Sequence, residues 1–311
     1  MRLLKLLLIL CVCAARPAAA EPLEDALAAS DRGDYATAIR LWRPLGEQGN
    51  PRAQYNLGNM YRLGRGVPQD HAAAVSWYRK AAEQGHARAQ SNLGVMYDTG
   101  QGVPLDHEAA VAWYRKAAEQ GYAQAQYNLG VMYQNGRGVP QDYTAAVSWY
   151  RKAAAQGYVE GQYNLGVMYE RGQGVPQDYA AAVSWYLKAA EQGLAVAQYN
   201  LGVMYGEGRG VPRDHAAAVS WYGKAAEQGN ANAQNNLGMM YARGQGVPLD
   251  YVQAHKWFGL ASSRYDGTEK ESRESALRNR DIVAARMTPA QIAEAQKLAR
   301  EWKPKPDGSR Q

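Results

Sequence analysis

The side chains that could bind a metal or support catalysis recur along this 311-residue sequence at a regular spacing. Three of the five histidines, His71, His107 and His215, are separated by multiples of 36 residues, and His86 and His255 stand apart from them. A zinc site needs several ligands close together, such as two histidines four residues apart on one helix face. We therefore predict neither a metal site nor a bound cofactor.

Six Gly-x-Gly triplets, beginning with Gly64-Arg65-Gly66, raise the question of a phosphate-binding loop. Such a loop follows a strand and ends in Lys-Ser or Lys-Thr, whereas these triplets follow predicted helices and lack that ending. We interpret them as turns, and the aspartate that follows each one, from Asp70 to Asp250, as a helix cap. The central residue alternates between Arg and Gln, and the sequence offers no physical reason for this alternation.

The sequence also lacks a recognisable set of catalytic residues. No Ser-x-x-Lys motif is accompanied by Ser-Asp-Asn and Lys-Thr-Gly, the set found in penicillin-binding enzymes. The two cysteines, Cys11 and Cys13, lie in a segment that we expect to be removed, so the mature chain would have no thiol nucleophile and no disulfide. The sequence therefore indicates a protein that is not an enzyme.

Residues 1–20 have the order of a secretory signal peptide. Arg2 and Lys5 precede a short apolar run, and Ala18 and Ala20 occupy the −3 and −1 positions of a cleavage site. The apolar run is about half as long as a membrane-spanning helix, so we predict a periplasmic or secreted protein without an integral membrane segment in the mature chain. Removal of three basic residues lowers the formal charge from +6 to +3, which argues against a nucleic-acid partner.

Internal repetition predicts the fold. The pairs Leu57-Gly58 and Trp77-Tyr78 each have five counterparts at intervals of 36 residues, without an insertion. Within one copy, two helical apolar stripes flank the glycine triplet, and no segment alternates with the period of a strand. Stacking such hairpins buries their stripes, so we predict an all-α solenoid without a sheet, with tryptophan and tyrosine as the large fillers between helices.

The repeat pattern divides the chain into five segments. We predict a signal peptide at 1–20, a degenerate N-terminal capping repeat at 21–49, six repeats at 50–265, a C-terminal helical cap at 266–303 and a disordered tail at 304–311. In the cap, Thr288, Pro289 and Gln291 fit a capping box at the start of a helix. The end of the chain, Lys303-Pro304-Lys305-Pro306-Asp307-Gly308, has a composition typical of disorder.

The repeated combination of Ala-Gln, Asn-Leu-Gly, Met-Tyr, Gly-x-Gly-Val and Trp-Tyr resembles the Sel-like repeat family, a relative of the tetratricopeptide repeats. The segment from Arg280 to Trp302 also resembles the C-terminal cap of bacterial members. The resemblance implies a right-handed superhelix of antiparallel helix pairs. It further implies an adaptor that gathers protein partners, often in the bacterial envelope or in signalling, and it does not specify the partner.

By the same resemblance, the first helix of each copy would line a concave face. We expect a tyrosine row and an asparagine row there, which suit an extended peptide, beside a column that varies between copies. The predicted partner-binding residues are Tyr55, Tyr127, Tyr163, Tyr199, Asn128, Asn164, Asn200, Arg88, Gln124 and Glu160. The alternatives are that the two rows join neighbouring copies and that the variable column is a solvated face. A second variable column runs from Arg62 through Glu170 to Ala242.

These patterns predict a non-catalytic protein–protein interaction scaffold of the bacterial envelope that binds a partner segment on its concave face. One alternative is glycan binding in envelope polysaccharide assembly, because tyrosine rings also stack on sugars. The other is a β-lactamase-like enzyme acting on the cell wall, an activity linked to a cysteine-rich secreted branch of the same family. The absence of cysteine from the expected mature chain argues against that second alternative.

Overall fold

The computed structural model describes residues 21–266 and 268–305. The predicted signal peptide and residues 306–311 of the predicted tail lie outside these ranges. The described residues form 16 α-helices and no strand, which confirms the all-α prediction.

The chain forms two compact units, Met1–Tyr122 and Ala123–Gln311. The described helices of the first unit are α1 (Glu21–Asp31), α2 (Tyr35–Glu47), α3 (Pro51–Leu63), α4 (His71–Glu83), α5 (Ala87–Thr99) and α6 (His107–Glu119). Those of the second unit are α7 (Ala123–Asn135), α8 (Tyr143–Ala155), α9 (Val159–Arg171), α10 (Tyr179–Glu191), α11 (Ala195–Glu207), α12 (His215–Glu227), α13 (Ala231–Arg243), α14 (Tyr251–Arg264), α15 (Lys270–Ala284) and α16 (Pro289–Glu301). From α3 to α14, two consecutive helices make one 36-residue copy.

The ends of the helices follow the sequence signals. Asp70 precedes α4, and its Oδ1 accepts a hydrogen bond of 2.9 Å from the backbone N–H of Ala73. The equivalent aspartates cap the second helix of every other copy in the same way. Gly64 ends α3 in the left-handed conformation with φ of 64°, which glycine adopts without steric cost. The cap predictions are therefore confirmed.

At Gly102 and Gly174, the second glycine of the triplet is required by a close contact with the preceding copy. A Cβ atom at Gly102 would lie 2.3 Å from the carbonyl oxygen of His71, and one at Gly174 would lie 2.3 Å from that of Tyr143. These two turns therefore pack directly on the start of the second helix of the copy before them. This contact supports the interpretation of the triplets as turns.

The arginine at the centre of two turns lies over an aromatic ring. The guanidinium carbon of Arg65 is 5.4 Å from the ring centroid of Tyr35, and that of Arg209 is 5.6 Å from the ring centroid of Tyr179. Each tyrosine opens the second helix of the preceding segment. A cation–π contact therefore gives a reason for arginine at these two turns, although it does not explain the glutamine of the second, fourth and sixth turns.

A second-helix tyrosine fills the space between the two helices of a copy. Tyr78 and Tyr150 are fully buried, and each lies against a glycine of its partner helix, Gly58 or Gly130. The prediction that tyrosines act as core fillers is confirmed at this position. The neighbouring tryptophan is buried only in the sixth copy, at Trp257. In the first five copies, as at Trp77, it is partly buried, so the prediction of a core filler is wrong there, and a lysine ammonium covers one face of each ring at 3.9–4.5 Å from its centroid.

A buried glutamine, which the sequence analysis did not single out, joins neighbouring copies. The Nε2 of Gln54 donates a hydrogen bond of 2.9 Å to the backbone oxygen of Gly46 in α2. Its Oε1 accepts one of 2.7 Å from the Nε2 of Gln84, at the end of α4. Gln90 and Gln198 make the same two kinds of bond in their copies. A buried amide that lost either partner would destabilise the fold. The two bonds of Gln54 therefore favour one alignment of α2, α3 and α4.

The C-terminal helices α15 and α16 pack on α14. The predicted capping box is present, because Thr288 accepts a hydrogen bond from the backbone of Gln291 and donates its own N–H to the Gln291 side chain. Trp302 then packs edge-on against Trp257. Lys305, within the segment predicted to be disordered, is held against α12 by an ion pair of 2.6 Å with Glu227.

We predict that the protein becomes less stable at high pH, because burial raises the pKa of some of its tyrosines. Burial raises the pKa of Tyr222 to about 12, above the ordinary value of 10.0 that applies in the unfolded chain. The folded state therefore holds this proton more tightly, and its contribution to the free energy of unfolding is complete below pH 10 and declines as pH rises towards 12. Denaturant unfolding at pH 9, 10 and 11 should show this decline.

The variant Tyr222→Phe is the control for this effect. Because one proton contributes about 1.4 kcal/mol per pH unit, the variant should lose stability less steeply than the wild type above pH 10, by up to that amount per unit. Identical pH dependence of the two proteins would contradict the assignment to Tyr222.

Candidate functional site

The predicted tyrosine row is partly buried in both units. Tyr55 lies in the first unit, and Tyr127, Tyr163 and Tyr199 lie in the second. Each ring packs against the second-helix tyrosine of its own copy, with ring centroids 5.6–6.1 Å apart. One part of each ring therefore supports the core, and the other part remains accessible on the first helix.

The predicted asparagine row connects consecutive copies. The Asn164 amide lies within hydrogen-bonding reach of the hydroxyls of Tyr127 and Tyr150 in the copy before it. Asn200 is placed in the same way toward Tyr163 of its preceding copy. This is the joining role considered for the row, and an additional role as ligand contacts remains a prediction.

The two variable columns differ in their surroundings. Arg88 and Glu160 are exposed and Gln124 is partly buried, so this column lies largely at the surface. The second column reaches the buried tyrosines, because the Nε of Arg62 donates a hydrogen bond of 3.1 Å to the hydroxyl of Tyr78. Gln134 and Glu170 bond the buried tyrosine of their own copy in the same way, so these three members stabilise the pairing of the two helices within a copy.

A cavity of about 530 Å³ in the second unit brings together part of the predicted set. It lies between α9 and α11, and its walls include the predicted residues Tyr163, Tyr199 and Asn200. Two valines, Val167 and Val203, add apolar surface that the sequence analysis did not identify. We call this space the α9–α11 cavity. Tyr127, Asn128, Asn164, Gln124 and Glu160 do not line it, although they belong to the same unit.

A charged pair forms one wall of the α9–α11 cavity. The Oε1 of Glu170 accepts a hydrogen bond of 3.2 Å from the Nη1 of Arg209, and its Oε2 accepts one from the Tyr186 hydroxyl. The Nε of Arg209 also lies 2.7 Å from the Oε2 of Glu207, in an ion pair that does not align the N–H with the oxygen. The carboxylate and the guanidinium thus largely neutralise each other.

The tyrosines of the cavity are poor acid–base catalysts near neutral pH. Burial raises the pKa of the hydroxyls of Tyr163 and Tyr199 above their ordinary value. They therefore remain protonated and can act as hydrogen-bonding groups, whereas a nucleophile would need a lowered pKa. In the part of the chain that the structure describes, no group of three or more His, Cys, Asp or Glu residues could hold a metal ion.

The sequence analysis did not identify the charged wall of the α9–α11 cavity. Glu170 belongs to copy four and Arg209 to the turn of copy five, and stacking of the two copies brings their side chains together. A possible signal was present, because Glu170 stands in a variable column and Arg209 at the centre of a turn. The sequence does not indicate that these two positions meet.

Comparison with known proteins identifies the repeat. Six Sel1 repeats match residues 51–86, 87–122, 123–158, 159–194, 195–230 and 231–266, which make up more than half of the chain. The chain belongs to the Sel1 repeat family. These repeats begin one residue later than the predicted range of 50–265. Sel1 repeat solenoids generally serve as protein–protein interaction scaffolds and are typically non-catalytic.

Solved structures of Sel1 repeat proteins are similar to the chain. A Sel1 repeat protein from Oxalobacter formigenes is 35% identical over 77% of this chain and 96% of its own, with a TM-score of 0.70. The protective antigen c5321 from uropathogenic Escherichia coli, which displays an SLR fold, is 33% identical over 86% of this chain and 71% of its own, with a TM-score of 0.38. No curated protein matches the chain. The first of these structures confirms the predicted solenoid class.

Within residues 21–266 and 268–305, no helix combines the length and the apolar composition needed to cross a membrane.

Proposed function

We propose that this Sel1 repeat protein is a non-catalytic scaffold of the bacterial envelope that binds an extended segment of a partner protein. The segment would lie along the first helices of the second unit, with the α9–α11 cavity as its main anchoring point. The observation that carries the proposal is that Tyr163 and Tyr199, on consecutive first helices, both line this cavity. Export is proposed from the signal-peptide pattern of residues 1–20.

The cavity has the composition expected for an apolar side chain of a bound peptide. The rings of Tyr163 and Tyr199 and the side chains of Val167 and Val203 provide apolar contact area. The amide of Asn200 has more donor and acceptor positions than its tyrosine contacts occupy, so it can also hydrogen-bond to a peptide backbone. A volume of about 530 Å³ falls in the range of ordinary ligand sites.

The ion pair of Glu170 and Arg209 contributes more to the orientation of the partner than to its affinity. Glu170 and Arg209 already satisfy each other, so their net attraction for a charged group is small. The side chain of Arg171 is exposed at the edge of the cavity and keeps a free positive charge near the opening. Glu207, which also pairs with Arg209, offsets this charge, so an apolar anchor matches the surface.

Selection from a phage-displayed library of random linear peptides tests the proposal. The bait is the chain recovered from a periplasmic extract, with Glu21 as the expected first residue by mass spectrometry. We expect enriched peptides whose affinity falls by about tenfold or more in the double variant Tyr163→Ala, Tyr199→Ala, because truncating two central aromatic contacts removes most of an anchoring site. Affinity is measured by fluorescence anisotropy, and folding by circular dichroism.

The matched control truncates an aromatic ring on a second helix of the same unit. Trp185→Ala in α10 removes a partly buried ring outside the cavity and should change peptide affinity by less than about twofold. Equal loss in both variants would contradict the placement of the site. If no peptide is enriched, and oligosaccharides instead bind the wild type but not the double variant, the glycan alternative replaces the peptide proposal.

A further inference from the structure

A second cavity lies at the C-terminal end of the second unit, and the proposed function does not use it. It has a volume of about 550 Å³ and lies between α14, α15 and α16. Its walls combine apolar side chains, such as Leu260 and Ile292, with the polar or charged groups of His255, Arg280 and Arg300. We call this space the cap cavity.

His255 is an exception to the repeat pattern. The five earlier copies have valine at this position, and the sixth has histidine, so a core position has become polar. The residue is only 7% exposed, and its ring makes no hydrogen bond with the other described residues. Because the ring lines the cavity and makes no bond to these residues, its nitrogens are available to a bound molecule.

The protonation state of His255 determines which hydrogen bonds its imidazole can make with a ligand. Burial lowers its pKa, and the positive charge of Arg280 acts in the same direction. The imidazole is therefore neutral near pH 7 and presents one N–H donor and one acceptor nitrogen to the cavity.

One more departure from the repeat lines the same cavity. Leu260 replaces the lysine of all five earlier copies and is buried. Packing of the cap on α14 accounts for Leu260, but it does not account for a polar His255.

The charges on the walls favour a ligand with a single negative charge. The Nε and Nη2 of Arg280 donate to Asp281 Oδ1 at 3.0 and 2.8 Å, so this pair is nearly neutral. Arg300 is exposed and forms no ion pair with any other described residue. With His255 neutral, the walls therefore carry one uncompensated positive charge. A dianion would lie close to the Asp281 carboxylate and be repelled.

We propose that the cap cavity binds a small monocarboxylate with a short apolar chain. Arg300 pairs with the carboxylate, since a guanidinium can donate two parallel hydrogen bonds to it. The N–H of His255 donates to the ligand from inside the cavity, and Leu260 and Ile292 contact the apolar chain. This binding is independent of the partner segment on the first helices.

Calorimetric titration of residues 21–311 with hexanoate tests this proposal. We expect saturable binding with a Kd of about 1 mM or tighter, and about tenfold weaker binding in Arg300→Gln. His255→Val, which restores the residue of the other copies, should weaken binding about fivefold. Arg278→Gln removes an exposed arginine of α15 outside the cavity and should leave the affinity unchanged.

The comparison ligands decide between the chemical alternatives. Hexanamide has the same shape without the charge and should bind about tenfold more weakly or not at all. Hexyl phosphate, a dianion, should also bind more weakly than hexanoate. The proposal is overturned if hexanoate gives no saturable binding, if either comparison ligand binds as tightly, or if Arg300→Gln and His255→Val both retain the wild-type affinity. Circular dichroism verifies that each variant is folded.

Discussion

Replacing Gly130 with leucine is expected to lower the free energy of unfolding by about 3 kcal/mol or more, because the side chain has no space between two packed helices. A Cβ atom at Gly130 would lie 2.7 Å from two ring atoms of Tyr150 and 3.3 Å from the backbone oxygen of Ala146. Both Gly130 and Tyr150 are buried, so α7 and α8 would have to separate along the core of copy three. Urea unfolding followed by circular dichroism measures the effect.

Gly223 in α12 provides the matched control. It also lies within a helix, but no atom is within 4 Å of the position that a Cβ would occupy. Gly223→Ala should therefore raise the free energy of unfolding by about 0.5–1 kcal/mol through the higher helix propensity of alanine. If Gly130→Leu proved as stable as the wild type, the close packing of Gly130 on Tyr150 would be incorrect.

Replacing Gln198 with leucine is expected to cost about 2–3 kcal/mol, the second largest effect on stability. The Nε2 of Gln198 donates to the backbone oxygen of Ala190 at 3.1 Å, and its Oε1 accepts from Gln228 at 2.8 Å. Leucine is similar in size but cannot make either bond. The buried carbonyl of Ala190 would then lose its side-chain partner, in addition to the lost connection between α10, α11 and α12.

Gln141 provides the control, because it tests whether the loss of an exposed glutamine amide would destabilise the protein equally. Gln141 also donates to a backbone oxygen, that of Gln134 at 2.8 Å, but it is exposed to water. Gln141→Leu should therefore change the free energy of unfolding by less than about 0.5 kcal/mol. Equal midpoints of urea unfolding for the two variants would contradict a special role of the buried glutamine.

The two glutamines illustrate why the polar contacts were harder to predict than the core. The glutamine of the Ala-Gln pair recurs in every copy, although Gly161 replaces the alanine in the fourth, and the periodicity does not distinguish a buried amide from a surface one. Gln198 becomes important only because a carbonyl of the preceding copy and Gln228 both lie within reach. The asparagine row shows the same limit, since Asn164 reaches tyrosines of the preceding copy and is not simply a surface amide.

The sequence by itself determined the helical hairpins, their number and their ends. These features depend on local chemistry: the apolar stripe of each helix, the aspartate cap at Asp70 and its equivalents, and glycines such as Gly64 that adopt positive φ. All of these signals recur every 36 residues, so six copies reinforced one interpretation.

Only the tertiary structure decided which side chains of different copies meet. Glu170 and Arg209 are 39 residues apart and form one wall of the α9–α11 cavity. His255, which was isolated in the sequence, lines a cavity with residues of α15 and α16. The physical reason is that periodicity specifies the residue type at each position of a copy, whereas charge pairing and cavity shape depend on distances set by the packing of neighbouring copies and of the cap.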